Sequence, residues 1–334
     1  MNKTKVVIAG LGGISQIAHL PIISKLSDVE IAAVCDTDKG KSKFVAEKYK
    51  VKKYYTDYEK MLNEIESDCM VVATPTSTHK DVAIAGLEAG LKVLVEKPLA
   101  RNSAEAQKIV DARKKGKNQL MVGMNNRFRP DFMMQRSFVS TGELGEIFYI
   151  RAGFVRKRST VEKWALDPAQ SGGGVFIDLG IVVLDIAQWL LKFAKVKSVS
   201  AVNYFHKFKS VEDTSLVLIK FVNGATVSLE SSWTLHREND VFYCNVFGTE
   251  GSSSVNPLRI YKRMHGTLVN VTPVKLEKPA NMFIRSYEYE LQHFFNSLKP
   301  DADVISNGEE ALARQNVTDS IYKSAKTGKE IFLK

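Results

Sequence analysis

Residues 5–15 constrain this chain more than any other stretch. Lys5-Val6-Val7-Ile8-Ala9 has the length and unbroken apolar character of a buried strand, and Gly10-Leu11-Gly12-Gly13-Ile14-Ser15 turns it into a helical pattern. Strand, glycine turn and helix form a phosphate cradle. Gly10 suits a backbone angle that a side chain would penalise, Gly12 lets the main chain approach a diphosphate, and Ser15 is small enough for the helix to lie close on the strand. A second apolar strand, Glu30-Ile31-Ala32-Ala33-Val34-Cys35, ends in Asp36, about twenty residues beyond the turn, where an acid binds ribose hydroxyls. Gly10, Gly12, Gly13, Ile14 and Asp36 are therefore the candidate residues of a dinucleotide site. Asp36 would repel the 2′-phosphate of NADP and the next residue, Thr37, brings no positive charge, so NAD is the expected cofactor and NADP the disfavoured one.

A chain of 334 residues, 44% hydrophobic and 25% charged, is long enough for two globular domains. It shows no unbroken apolar run of about eighteen residues and no signal-like segment, so a soluble cytoplasmic protein without a membrane partner is expected. Cys35, Cys69 and Cys244 lack metal-ligand spacing, as do the histidines, and no metal is expected. The formal charge of +10 is spread among acids, as on solvated helix faces, which argues against nucleic acid and for a mildly positive site that attracts an anionic cofactor or substrate.

From Lys5 to Asn125 short apolar strands (5–9, 30–35, 69–73, 91–96, 119–124) alternate with helical segments (15–26, 38–49, 57–65, 79–89, 103–115), the signature of a doubly wound parallel sheet of α/β class. After that the pattern changes. A helix near 130–140 and a helical run from Val183 to Phe193 interrupt strands at 146–157, 198–208, 214–222, 225–235, 241–248, 252–255, 258–263 and 267–273, with helices at 282–298 and 308–326. Asn223-Gly224 marks a hairpin. The expected architecture is an NAD-binding domain over 1–124 and an α+β domain over 125–334 built on a large, mostly antiparallel sheet.

Ligands of open α/β sheets bind at the carboxyl ends of the strands. Thr74-Pro75-Thr76-Ser77-Thr78-His79 follows the third strand there, so Thr74 and Thr76 are candidate cofactor contacts with His79 behind them, and Thr78 is either an N-cap or a nucleotide contact. Glu96-Lys97-Pro98 ends the fourth strand at the same edge. A lysine in that place exchanges a proton with a substrate hydroxyl if partial burial and a positively charged nicotinamide lower its pKa.

The glycine turn with His19-Leu20-Pro21, Asp36, the segment from Thr74 to His79, Glu96-Lys97-Pro98, Gly123 to Phe128, and Gly172-Gly173-Gly174 through Asp178-Leu179-Gly180 to Asp185 stand in an order that resembles the glucose-fructose oxidoreductase, inositol dehydrogenase and rhizopine-catabolism (Gfo/Idh/MocA) family across nearly the whole chain. The resemblance implies a nicotinamide-binding domain followed by an open-faced sheet domain that supplies much of the substrate site and mediates assembly. It also implies that Lys97 is the catalytic lysine, that Asp178 lines the substrate pocket, and that the Lys97-Pro98 bond is cis, while Glu96 and Lys97 are candidate cofactor contacts from their place at the strand edge. One position departs from the pattern. Four residues beyond the aspartate many relatives carry a histidine that exchanges the hydroxyl proton, and here Val182 stands on what would be the same helical face as Asp178. Asp178 has the alternative of capping the helix after the glycines.

Arg127 and Arg129 lie just after the fifth strand, with Arg127 the candidate substrate contact, and Arg151, Arg156, Lys157 and Arg158 lie on or after the first strand of the second domain, where alternation puts Arg156 and Arg158 on one side and Lys157 on the other so that they do not all face one pocket; Trp164 could stack on a sugar ring or pack. The expected activity is NAD-dependent hydride transfer at a secondary alcohol of a sugar, polyol or sugar derivative, by a homodimer or homotetramer. A redox glycoside hydrolase that retains its NAD, and a catalytically impaired NAD- or sugar-binding protein, are the alternatives.

Overall fold

The computed structural model describes residues 3–157, 163–277, 279–299 and 302–333; Arg158 lies outside them. The chain forms two compact units, 1–125 with 283–312, and 126–282 with 313–334.

The first unit is a six-stranded parallel sheet: β1 (Thr4–Ala9), β2 (Val29–Cys35), β3 (Tyr54–Tyr55), β4 (Cys69–Val72), β5 (Lys92–Glu96) and β6 (Leu120–Gly123), in the order β3-β2-β1-β4-β5-β6. Its central strands are apolar on both faces because helices cover both, and Val6, Val7, Ile8, Val71 and Val72 are all fully buried. Each such side chain contributes about 1.5–3 kcal/mol of transfer free energy. The order is that of a dinucleotide-binding sheet, with the turn after β1 at its switch point.

Assigning everything after residue 124 to a second domain leaves out a return of the chain. Residues 283–312 group with the first unit, where the Val122 N–H donates to the Ser306 carbonyl at 2.8 Å, Gln119 Nε2 donates to Ser297 Oγ at 2.7 Å, and Met121 forms a bridge with Asn307. The reason is an edge. β6 is the last strand of its sheet, and the returning chain takes up its exposed backbone donors.

The second unit is a nine-stranded, mostly antiparallel sheet. Its strands are β7 (Ile147–Val155), β8 (Val196–Tyr204), β9 (Thr214–Phe221), β10 (Thr226–Ser232), β11 (Val241–Gly248), β12 (Gly251–Val255), β13 (Arg259–Met264), β14 (Thr267–Asn270) and β15 (Ile331–Phe332). They run in the order β14-β13-β12-β11-β7-β10-β9-β8-β15, with β7 and β10 parallel. Alternation along β9 buries Val217 and Ile219 against Val183, Leu184, Ile186 and Leu190 of the helix Ile181–Leu190, and leaves Leu216 and Leu218 exposed on the opposite face. The β9–β10 hairpin turns at Asn223-Gly224, where Gly224 has φ +91°.

Three strands are shorter than their apolar patterns. Asp213 Oδ2 accepts the N–H groups of Lys207 and Phe208 and turns the chain after β8, Ser232 Oγ accepts those of Thr234 and Leu235 and ends β10, and Asn270 Oδ1 accepts that of Thr272 and ends β14. The two-residue strands β3 and β15 escaped the sequence reading. The stretch Pro168–Leu190 holds an 18-residue window whose mean hydropathy, 1.6, is that of a membrane span, but it is broken at Gly172 and Gly173, and the residues from Ile181 to Leu190 are all buried inside the unit.

Candidate functional site

The turn after β1 is built from contacts that small residues permit. Gly10 has φ +91°, and a Cβ on it would stand 2.3 Å from the Ala73 carbonyl carbon; its N–H donates to the Cys35 carbonyl at 2.8 Å and its carbonyl accepts from Ser15 Oγ at 2.5 Å. Around Gly12 and Gly13 nothing lies within 4 Å of where a Cβ would be, and Ile14 beside them is half-buried. A close-packed base under open backbone fits a dinucleotide diphosphate. The following helix departs from an ordinary one over 15–26. Ser15–His19 is a π-turn and Leu20–Ile23 a single α-turn, because Pro21 has no N–H to give to the preceding turn and its ring needs the wider spacing.

Asp36 stands just past the end of β2 and faces the turn: Leu11 N–H donates to its Oδ2 at 2.9 Å and Asp38 N–H to its Oδ1 at 3.0 Å. Lys41 Nζ also reaches both oxygens, at 3.1 and 3.2 Å. Thr37 adds no positive charge to Asp36, but a cation arrives from the next helix turn instead.

After β4 the helix starts at Thr76, so Thr78 is not its N-cap; Thr78 Oγ1 donates to the Pro75 carbonyl at 2.8 Å and lies 2.8 Å from Thr74 Oγ1, whose proton it is free to accept. Thr76 is buried and Thr74 half-buried. His79 is buried, with Nδ1 2.8 Å from the Pro98 carbonyl and Nε2 2.8 Å from the Thr74 carbonyl, so it ties the loop after β4 to the loop after β5 from behind. Burial pushes its pKa below the ordinary value against the opposing pull of those carbonyls.

Glu96 ends β5 with its carboxylate turned inward: Oε1 lies 2.8 Å from His19 Nε2, and Oε2 accepts the Lys97 N–H at 3.2 Å. Burial pushes this carboxyl up, but the His19 hydrogen bond and charge, with the charge of Lys97, outweigh it and hold it below the usual value. The Tyr287 ring meets the His19 ring edge-on at 5.6 Å, and its phenol is held well above the ordinary range by burial and by the charges of Glu96 and Glu290. His19 stood in the sequence only as part of the motif that follows the glycine turn, with no partner assigned, and Tyr287 was not singled out at all. Lys97 itself is half-buried, at the carboxyl edge that carries the glycine turn, and its bond to Pro98 is cis.

In the second unit Asp178 lies half-buried in a second π-turn, Phe176–Gly180, where its Oδ2 accepts from Trp233 Nε1 at 3.1 Å. It caps no helix. The i→i+5 bonding of this turn shifts the register on which the four-residue spacing to Val182 relied, and Val182 is buried, 6% exposed, while Asp178 is not. The segment is held by Glu212, which is buried and accepts the N–H of Gly174 at both oxygens (3.0 Å each), the N–H of Phe176 (3.0 Å) and the Tyr322 hydroxyl (2.7 Å). A Cβ on Gly174 would stand 2.2 Å from the Glu212 carbonyl oxygen, so only glycine allows the approach. Burial pushes the Glu212 carboxyl up despite these donors. Trp233 and Glu212 are residues that sequence reasoning missed.

The substrate contact expected of Arg127 is corrected. Its guanidinium is fully buried, pairs in two-pronged fashion with Asp185 (Nε to Oδ2 2.8 Å, Nη2 to Oδ1 2.7 Å), and lies over the rings of Trp189 and Phe193, while Arg314 pairs with the same carboxylate. Burial without pairing would be too costly for either cation. Arg129 likewise pairs with Asp131, and the exposed Arg156 with Asp240. Trp164 is 39% exposed in the short helical turn Lys163–Leu166. Among the described residues no group of three or more His, Cys, Asp or Glu is placed to hold a metal ion.

Residues 4–124 match the family model described as oxidoreductase family, NAD-binding Rossmann fold, and residues 132–254 match the GFO/IDH/MocA C-terminal domain. The chain is 30% identical to the D-glucoside 3-dehydrogenase of Escherichia coli K12, over 99% of this chain and 98% of that one. It is 28% identical to the scyllo-inositol 2-dehydrogenase (NAD(+)) of Bacillus subtilis 168, over 94% of each. Its fold is that of levoglucosan dehydrogenase in complex with NADH and levoglucosan, with a TM-score of 0.88, 20% identity and 99% of both chains covered.

Proposed function

We propose, for a chain that belongs to the Gfo/Idh/MocA family of NAD-binding oxidoreductases, that its reaction is hydride exchange at a secondary alcohol or ketone of a sugar, polyol or sugar derivative. It is an NAD-dependent dehydrogenase. When bound, the nicotinamide supplies the hydride acceptor or donor. The chain's own residues do the rest: Gly10, Gly12, Gly13 and Ile14 cradle the diphosphate, Asp36 accepts from the ribose hydroxyls, and the loop of Thr74 and Thr76 borders the nucleotide. The observation that carries the reading is the placement of the half-buried Lys97 at the same carboxyl edge as the glycine turn and Asp36.

Lys97 Nζ takes the hydroxyl proton during oxidation and returns it during reduction. Glu96, locked against His19, holds the Lys97 backbone through its second oxygen and so acts as a positioning residue. Asp178, oriented by the Trp233 indole, is the acceptor through which the second unit would bind substrate hydroxyls, and the exposed Trp164 ring is a candidate stacking surface.

The test begins with a sugar and polyol library screened for NADH formation. On the substrate found, Lys97→Met should lower turnover by roughly 100-fold or more with little change in NAD affinity; near-normal turnover would remove Lys97 from the role. We further propose self-assembly through the sheet face that carries Val202, Leu216 and Leu218, apolar and exposed around 40–50%. A concentration-independent monomer mass in light scattering would refute that. The cytoplasm is the proposed compartment, supported by three free buried thiols of which Cys35 is pushed up to about 12 by burial.

A further inference from the structure

The pair formed by Asp36 and Lys41 bears on which cofactor the site accepts. The Asp36 side chain is 11% exposed and is held by two backbone donors, Leu11 N–H and Asp38 N–H, so its position does not depend on Lys41. Lys41 stands in the first turn of the helix Lys39–Tyr49, its N–H bonded to the capping Asp38 carboxylate at 3.0 Å, and its ammonium is 36% exposed on a flexible stem. One partner is held by the backbone, and the other reaches it from the end of a four-carbon stem.

We propose that Lys41 is a cofactor-specificity residue that weakens the discrimination Asp36 exerts against a 2′-phosphate. An isolated carboxylate at this place repels the phosphate of NADP, whereas a carboxylate with an ammonium 3.1 Å away presents a nearly neutral pair. A lysine is a compact charge on a four-carbon stem, so the same ammonium swings from Asp36 to a phosphate without movement of the helix. With NAD bound, the ribose hydroxyls bond to Asp36 and Lys41 is not needed. The inference rests on Asp36 as the ribose acceptor.

The experiment is a titration of NAD⁺ and NADP⁺ by protein fluorescence, with wild type, Lys41→Ala, Lys41→Arg, Asp36→Ala and the Asp36→Ala/Lys41→Ala double variant. Retained NAD⁺ binding reports that each single variant at Lys41 is folded. Asp36→Ala is expected to bind NADP⁺ about tenfold more tightly than wild type, and the added loss of Lys41 to take back about three- to tenfold. Lys41→Ala alone should weaken NADP⁺ by a similar factor while NAD⁺ affinity stays level or rises, and Lys41→Arg should retain wild-type behaviour. Equal NADP⁺ affinity with and without Lys41 in both backgrounds overturns the proposal. If Asp36→Ala changes the preference but Lys41 does not, only the lysine's part fails; if Asp36→Ala leaves the preference unchanged, the ribose assignment fails with it.

Discussion

Replacing Glu212 tests whether the segment that presents Asp178 is held in place by one buried carboxylate. In Glu212→Ala the N–H groups of Gly174 and Phe176 and the Tyr322 hydroxyl all lose their acceptor. Each orphaned donor costs about 1–3 kcal/mol, and partial relaxation or an entering water recovers some of it, which leaves a loss of roughly 3–5 kcal/mol. In a unit of this size that lowers Tm by about 10 °C. Glu212→Gln keeps an oxygen where all three donors converge and removes a charge whose burial is unfavourable, so its Tm should stay within a few degrees of wild type. The pH dependence supplies an independent sign. Burial raises the folded-state pKa of Glu212 above its unfolded value, so between the two values the folded state binds more protons and stability falls as pH rises. Wild type should therefore lose stability relative to Glu212→Gln as pH rises from the unfolded carboxylate value through the raised one, and both should run parallel above it. Thermal unfolding across that range measures both effects. A wild-type advantage that grows with pH, or an alanine variant that melts with wild type, would refute the reasoning.

Trp233→Phe keeps the ring in the small cluster of Val175, Leu179 and Val211 but removes the N–H that Asp178 accepts; kcat/KM should fall about tenfold with Tm changed by only a few degrees, and steady-state kinetics beside a melting curve separates this from misfolding. Asp185→Asn removes the carboxylate that pairs with both Arg127 and Arg314, buried guanidiniums, and should cost about 3–5 kcal/mol; a Tm within two or three degrees of wild type, roughly the scale of a surface change, would show that the network is held by other contacts.

What the sequence determined by itself was local in its physics. Apolar runs of strand length, the glycine turn, the acid at the end of the second strand and the lysine before Pro98 follow from short-range rules of backbone angle and burial, and they place Gly10, Asp36 and Lys97 at one sheet edge. Tertiary structure decided which polar groups meet across long stretches of chain. Arg127 finds Asp185 58 residues on, Arg314 reaches the same carboxylate across 129, Glu212 reaches Gly174 across 38 and Tyr322 across 110, and His19 meets Glu96 across 77. A lone acid in the apolar run Ile181 to Leu190 announced that Asp185 needs a buried cation, but not which one. Periodicity states that a side chain will be buried; only the packed fold supplies the donor that makes burial of a charge tolerable, and for that reason Arg127 belongs to the core and not to a pocket.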